Sequence, residues 1–161
     1  MNKAKIETVS FAAGCFWGVE EAFRQMPGII KTVVGYQGGN NADPTYQQVS
    51  SGQTGHAETV QIKYDPDKIS FQELLNKFWQ LHDPTSINRQ GPDVGSQYRS
   101  AIFYYSDEQK KIAEQSKNDL TKSGHYSSAI VTEIKEASPF YWAEEYHQQY
   151  YQKKGINSCG V

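Results

Sequence analysis

Cysteine is scarce in this chain of 161 residues: there are two, Cys15 and Cys159. They are too few and too far apart for a disulfide scaffold, and a chain of this length buries a core without such staples. An excess of one charge is also missing. Sixteen Lys and Arg against eighteen Asp and Glu leave a formal net charge of −2. That gives no electrostatic reason to expect nucleic acid or an anionic membrane as a partner. No apolar run approaches bilayer-spanning length. Ala12-Ala13-Gly14-Cys15 looks superficially like a lipoprotein cleavage box, but Glu7, Thr8 and Ser10 interrupt the stretch before it. A soluble, cytoplasmic protein is expected. Repeats, low-complexity tracts and Pro/Gly/Ser-rich linkers are absent, so residues 1–161 are expected to form a single domain. His56, His82, His125 and His147 show no zinc-like spacing with cysteine, and Gly35-x-x-Gly38-Gly39 fits neither a dinucleotide nor a phosphate loop. Neither a metal nor a bound cofactor is expected.

What is present reads as alternating strands and helices. Strands are predicted at 6–13, 29–36, 56–64, 98–105 and 129–136, and helices at 18–26, 70–82 and 107–122. Helical spacing over Tyr141–Lys153 predicts a last aromatic helix. Ser70 and Glu73 form a capping box for the second helix, and Phe71, Leu74, Leu75, Phe78 and Leu81 give it one apolar face. The order predicts an α+β two-layer sandwich with a ferredoxin-like βαββαβ core and a mostly antiparallel sheet.

Cys15 lies in Gly14-Cys15-Phe16-Trp17-Gly18, where the first strand gives way to the first helix. A helix start offers unpaired N–H groups and a positive dipole end, which favour a thiolate. The flanking glycines leave the sulfur accessible, and the two aromatics can wall an apolar pocket. Glu58, in Gly55-His56-Ala57-Glu58, reads from spacing alone as a solvated strand residue. Turned into an apolar pocket, its pKa would rise and make it a proton donor near neutral pH. Tyr36 and Tyr98 sit at strand ends, where rim packing is the simplest reading, and Asp93 sits in a Gly-Pro-Asp turn.

Taken together and in order, five segments are far more specific: Gly14–Gly18, Gly35-Tyr36-Gln37-Gly38-Gly39, Gly55–Glu58, Asp93-Val94-Gly95-Ser96-Gln97-Tyr98-Arg99-Ser100, and the aromatic run from Phe140 to Tyr150. Over roughly residues 6–150 the chain resembles the peptide methionine sulfoxide reductase A family. The resemblance implies an α/β plait-like sandwich that reduces methionine S-sulfoxide, free or in proteins. It implies Cys15 as nucleophile, Glu58 as proton donor, Tyr36 and Tyr98 as hydrogen-bond partners of the sulfoxide oxygen, and Asp93 near the same pocket. Phe16 and Trp17 would hold the substrate methyl group. The first product would be a sulfenic acid on Cys15. Cys159, in a C-terminal tail at 154–161, would resolve it to a Cys15–Cys159 disulfide that thioredoxin reduces. Some relatives carry a further cysteine as a relay; this sequence has none, so thioredoxin is expected to meet the first disulfide directly. A monomer is expected.

Two other readings compete. A thiol peroxidase would need a cationic activator, and no Arg or Lys flanks Cys15. A redox sensor or a module that binds oxidised methionine would need neither Glu58 nor a second thiol.

Overall fold

The protein is described by a computed structural model over residues 5–155. In chain order the elements are β1 (Glu7–Ala13), α1 (Phe16–Arg24), β2 (Ile29–Gln37), α2 (Tyr46–Ser50), β3 (Ala57–Tyr64), α3 (Phe71–Gln80), β4 (Arg89–Gln90), β5 (Asp93–Val94), β6 (Ser100–Tyr104), α4 (Asp107–Lys122), β7 (Glu133–Glu136), β8 (Tyr141–Trp142) and α5 (Tyr150–Lys153). Short 3₁₀ turns occupy Ser96–Tyr98 and Glu145–His147.

Alternation along β1 decides its two faces. Val9, Phe11 and Ala13 join the main core. There the Phe11 ring stacks on Phe23 of α1 and on Phe71 and Phe78 of α3, so both helices cover the same face. Ala12 points the other way, into a small cluster with Ala57, Ala101 and Phe103. The six-stranded sheet runs β7-β6-β1-β3-β2-β8. Its pairings are antiparallel except β6 with β7, which are parallel and joined through α4. The architecture is therefore α+β with a mostly antiparallel sheet. The Ser70/Glu73 capping box forms as expected and starts α3.

Three expectations need correction. Helix α1 begins two residues earlier than predicted, so Cys15 is its N-cap. The strand predicted at 129–136 begins only at Glu133, because Val131 donates its amide to the carbonyl of Pro84 instead of joining a ladder. The predicted helix over Tyr141–Lys153 is instead a two-residue edge strand, a 3₁₀ turn and one helical turn. Gln149 breaks it with a left-handed φ of 48°. The strand β8 reaches Gly35 and Tyr36 of β2 because residue 35 has no side chain. A Cβ there would lie 2.3 Å from the Tyr141 carbonyl oxygen.

The segment after β8 is fixed by polar side chains rather than by helical bonds. Gln148 accepts from the Val34 amide (2.9 Å) and donates to the Val34 carbonyl (2.9 Å), acting as a surrogate strand for β2. Gln149 donates through its amide and its side chain to the buried Glu20 carboxylate (2.8 and 2.7 Å). These bonds strap residues 143–149 across the start of α1.

Candidate active site

Gly14, with φ +99°, turns the chain out of β1 and delivers Cys15 to the first turn of α1. The free N–H groups of that turn are divided between two side chains. Phe16 donates its amide to Glu58 Oε1 (3.2 Å), while the amides of Trp17 and Gly18 face the Cys15 sulfur. A thiol and a carboxyl that lie far apart in sequence, Cys15 and Glu58, thus share one helix N-terminus.

The electrostatics differ from the expected ionised cysteine. Burial pushes the Cys15 thiol up to about 12, and the neighbouring Glu58 and Asp93 carboxyls push the same way; the Trp17 and Gly18 amides pull down but lose. At rest Cys15 is a thiol. Glu58 is 1% exposed, and burial lifts its pKa to about 8 against the pull of the Phe16 amide. It therefore carries a proton at neutral pH. Its second oxygen, Oε2, is buried and has no hydrogen-bond partner. A protonated acid with one unengaged oxygen can donate to whatever oxygen a substrate brings.

Aromatic groups surround this pair. Tyr98 sits in the 3₁₀ turn that Arg99 fastens, donating to the Gly55 carbonyl, the Ser96 carbonyl and Glu133. It lies within electrostatic reach of Glu58, Asp93 and Cys15. Tyr36 is paired across the sheet with Glu58 and is fully buried, but its hydroxyl donates to Glu144 Oε1 (2.8 Å) and is already engaged. A tyrosine that sequence reading passed over, Tyr46, heads α2 within electrostatic reach of Glu58 and Cys15, its hydroxyl hydrogen-bonded to the Ser50 side chain. Its ring lies 4.5 Å from that of His147. Only the Pro44-Thr45-Tyr46 turn marks it in the sequence, and nothing local in that turn points to Cys15.

Phe16 is buried between Tyr36 and His147, ring centroids 5.8 and 5.1 Å away. Trp17 is half-buried, stacked 3.8 Å from Tyr150, and its indole N–H donates to His147 Nδ1 (2.8 Å). His147 is therefore neutral with its proton on Nε2, in keeping with its lowered pKa. On another side Cys15 borders a cavity of about 540 Å³ whose wall includes Asp93, His82, Gln90 and Tyr151. Glu58 does not line it. His82 cannot serve as a base for Cys15: Nδ1 faces the Phe78 carbonyl (2.9 Å), Nε2 faces Ser100 Oγ (2.6 Å), and burial holds its pKa down near 4. No Lys or Arg lines the cavity among the described residues. Cys159 lies outside the described residues.

A thiol on a helix cap beside a proton-bearing buried carboxyl defines a cysteine-dependent enzyme with an in-built acid. The family model for peptide methionine sulfoxide reductase matches residues 7–161. A peptide methionine sulfoxide reductase MsrA from Methanosarcina mazei is 58% identical over 151 residues, 94% of this chain and 72% of that protein. The reduced form of Mxr1 from Saccharomyces cerevisiae superposes with a TM-score of 0.88 at 37% identity, over 96% of this chain and 88% of the other. Mxr1 in complex with Trx2 superposes with a TM-score of 0.64 at 27% identity, over 92% and 87%. The chain belongs to the peptide methionine sulfoxide reductase family. Its activity is that of a peptide-methionine (S)-S-oxide reductase.

Proposed function

We propose that Cys15 and Glu58 carry out this reduction as a pair. The observation that carries the reading is the shared N-terminus of α1, which holds the sulfur and a protonated carboxyl on adjacent amides. The Cys15 sulfur attacks the sulfoxide sulfur while Glu58 gives its proton to the sulfoxide oxygen, and the thiol proton returns to the Glu58 carboxylate. The oxygen, now a hydroxyl, passes from the substrate sulfur to the Cys15 sulfur; the substrate S–O bond and the transient S–S bond both break, methionine leaves, and Cys15 is left as a sulfenic acid. Two electrons pass from the cysteine sulfur to the substrate. Because Glu58 is neutral when attack begins, it does not repel the developing thiolate.

Tyr98 donates to the substrate oxygen, as the family resemblance implies, and Tyr46 takes the place that the resemblance gave to Tyr36. Tyr36, held by Glu144, supports from behind. Trp17 and Phe16 give the methyl group an apolar wall, and Asp93 borders the approach to the sulfur. The Cys159 thiol then attacks the sulfenic sulfur, releasing water and forming a disulfide. Thioredoxin is the reductant: its two thiols reduce that disulfide and become a disulfide themselves. The central order β6-β1-β3-β2, with α1 and α3 as crossovers, supports reading the core as ferredoxin-like. Residues 1–161 then act as one catalytic domain whose tail, 154–161, brings the resolving cysteine. No metal or resident cofactor enters these steps, and we place the protein in the cytoplasm as a monomer.

A single turnover tests the reading. Fully reduced protein mixed with N-acetyl-methionine S-sulfoxide should yield one methionine derivative and lose two thiols. Cys15→Ser should yield none, and Cys159→Ser should give product but no thioredoxin-driven cycling. Product from Cys15→Ser, or equal rates with the R epimer, would refute it.

A further inference from the structure

Glu144 belongs to the strap, yet both of its carboxylate oxygens are spent on the tyrosine side of the site. Oε1 accepts the Tyr36 hydroxyl (2.8 Å) and Oε2 accepts the backbone amide of Tyr46 (2.9 Å). That amide is the first of α2, a helix of five residues begun by the Thr45/Gln48 capping box. Its N–H has no partner within the helix. The box fixes where α2 starts, and Glu144 hydrogen-bonds that start to the wall that carries Tyr36 and His147, against which the Tyr46 ring also packs. Removal of the carboxylate frees the Tyr46 backbone and leaves the buried Tyr36 hydroxyl unpaired.

We propose that Glu144 is a positioning residue for sulfoxide reduction, clamping Tyr36 and the head of α2 so that the Tyr46 ring is held beside Cys15 and Glu58. The proposal rests on the reading that Tyr46 donates to the substrate oxygen. Because Glu144 acts through Tyr46, its loss slows the step in which oxygen is transferred and leaves substrate affinity nearly unchanged. Its effect also disappears when the Tyr46 hydroxyl is absent.

The test is a double-mutant cycle on the single-turnover rate at saturating N-acetyl-methionine S-sulfoxide, with substrate affinity measured alongside. Tyr46→Phe should slow the step about a hundredfold, the lower end of what loss of one donor to a reacting oxygen costs. Glu144→Ala should slow it about tenfold in the otherwise native chain, yet by no more than about twofold in the Tyr46→Phe background. Glu144→Gln keeps an acceptor for the Tyr46 amide, and its amide nitrogen can donate to the Tyr36 oxygen. It should recover the native rate to within about threefold. Additive losses with Tyr46→Phe slow, or equal damage from Glu144→Ala and Glu144→Gln, overturn the positioning role alone. A Tyr46→Phe protein with native rate removes the Tyr46 reading and the proposal with it.

Discussion

Glu58 holds its proton at neutral pH because the fold removes it from water and gives it one amide in return. Its pKa in the folded protein, about 8, lies above the ordinary 4.5. The folded state therefore binds the proton more tightly than the unfolded state. The stability linked to that proton is complete below pH 4.5 and drains away as pH rises through about 8. Glu58→Gln should thus gain stability relative to the native chain between pH 5 and pH 9, by up to roughly 4 kcal/mol, in urea titrations at the two pH values. Removing the carboxylate also removes one cause of the raised Cys15 thiol. Alkylation of Cys15 by iodoacetamide should therefore set in at lower pH in Glu58→Gln. An unchanged alkylation profile would mean that the two groups do not interact. The sequence showed where Cys15 lies relative to its helix but not how deep it sits, and burial decides its charge.

At the scale of elements, the strap shows where sequence reading stops. The spacing of Tyr141, Tyr146, Tyr150 and their polar neighbours suits a helix, and no propensity rule excludes one. The deciding interactions are long-range. Gln148 pairs with both backbone groups of Val34, and Gln149 pairs with Glu20, partners more than a hundred residues away. By contrast α3 was legible residue by residue, because its capping box and apolar face are local. The motif Gly35–Gly39 also finds its explanation here. Gly35 admits β8, and the Gly39 amide donates to His56 Nδ1 (3.0 Å), so this motif is bound to the one that carries Glu58. Gln148→Ala should strand the Val34 amide in the interior and leave the Val34 carbonyl with the Ala143 amide alone. A loss of about 2–4 kcal/mol is expected in a urea titration, against about 1 kcal/mol for an ordinary exposed amide. A loss under 0.5 kcal/mol would show that the strap is not held this way.

For the whole molecule, strand order brings the chemistry together. β1 lies beside β3, so the cysteine just past the end of β1 and the carboxyl at the start of β3 meet at one edge of the core. β2 and β8 add Tyr36 and Glu144 from the far side. None of these distances is written in any single stretch of sequence; the family resemblance, not the spacing, connected Cys15, Glu58 and Tyr36 in advance, and Glu144 emerged only from the fold. The resemblance assigned oxygen donors to Tyr36 and Tyr98; in the fold the Tyr36 hydroxyl is bonded to Glu144, and Tyr46 lies within electrostatic reach of Glu58 and Cys15. The most direct measurement is the pH dependence of single-turnover reduction of N-acetyl-methionine S-sulfoxide by the native chain and by Glu58→Gln. With Glu58 as the acid, the native rate falls as pH rises through about 8, while the variant is slower by about 10²–10⁴-fold and lacks that limb. A variant that keeps both the native rate and the native limb would place the proton on another group.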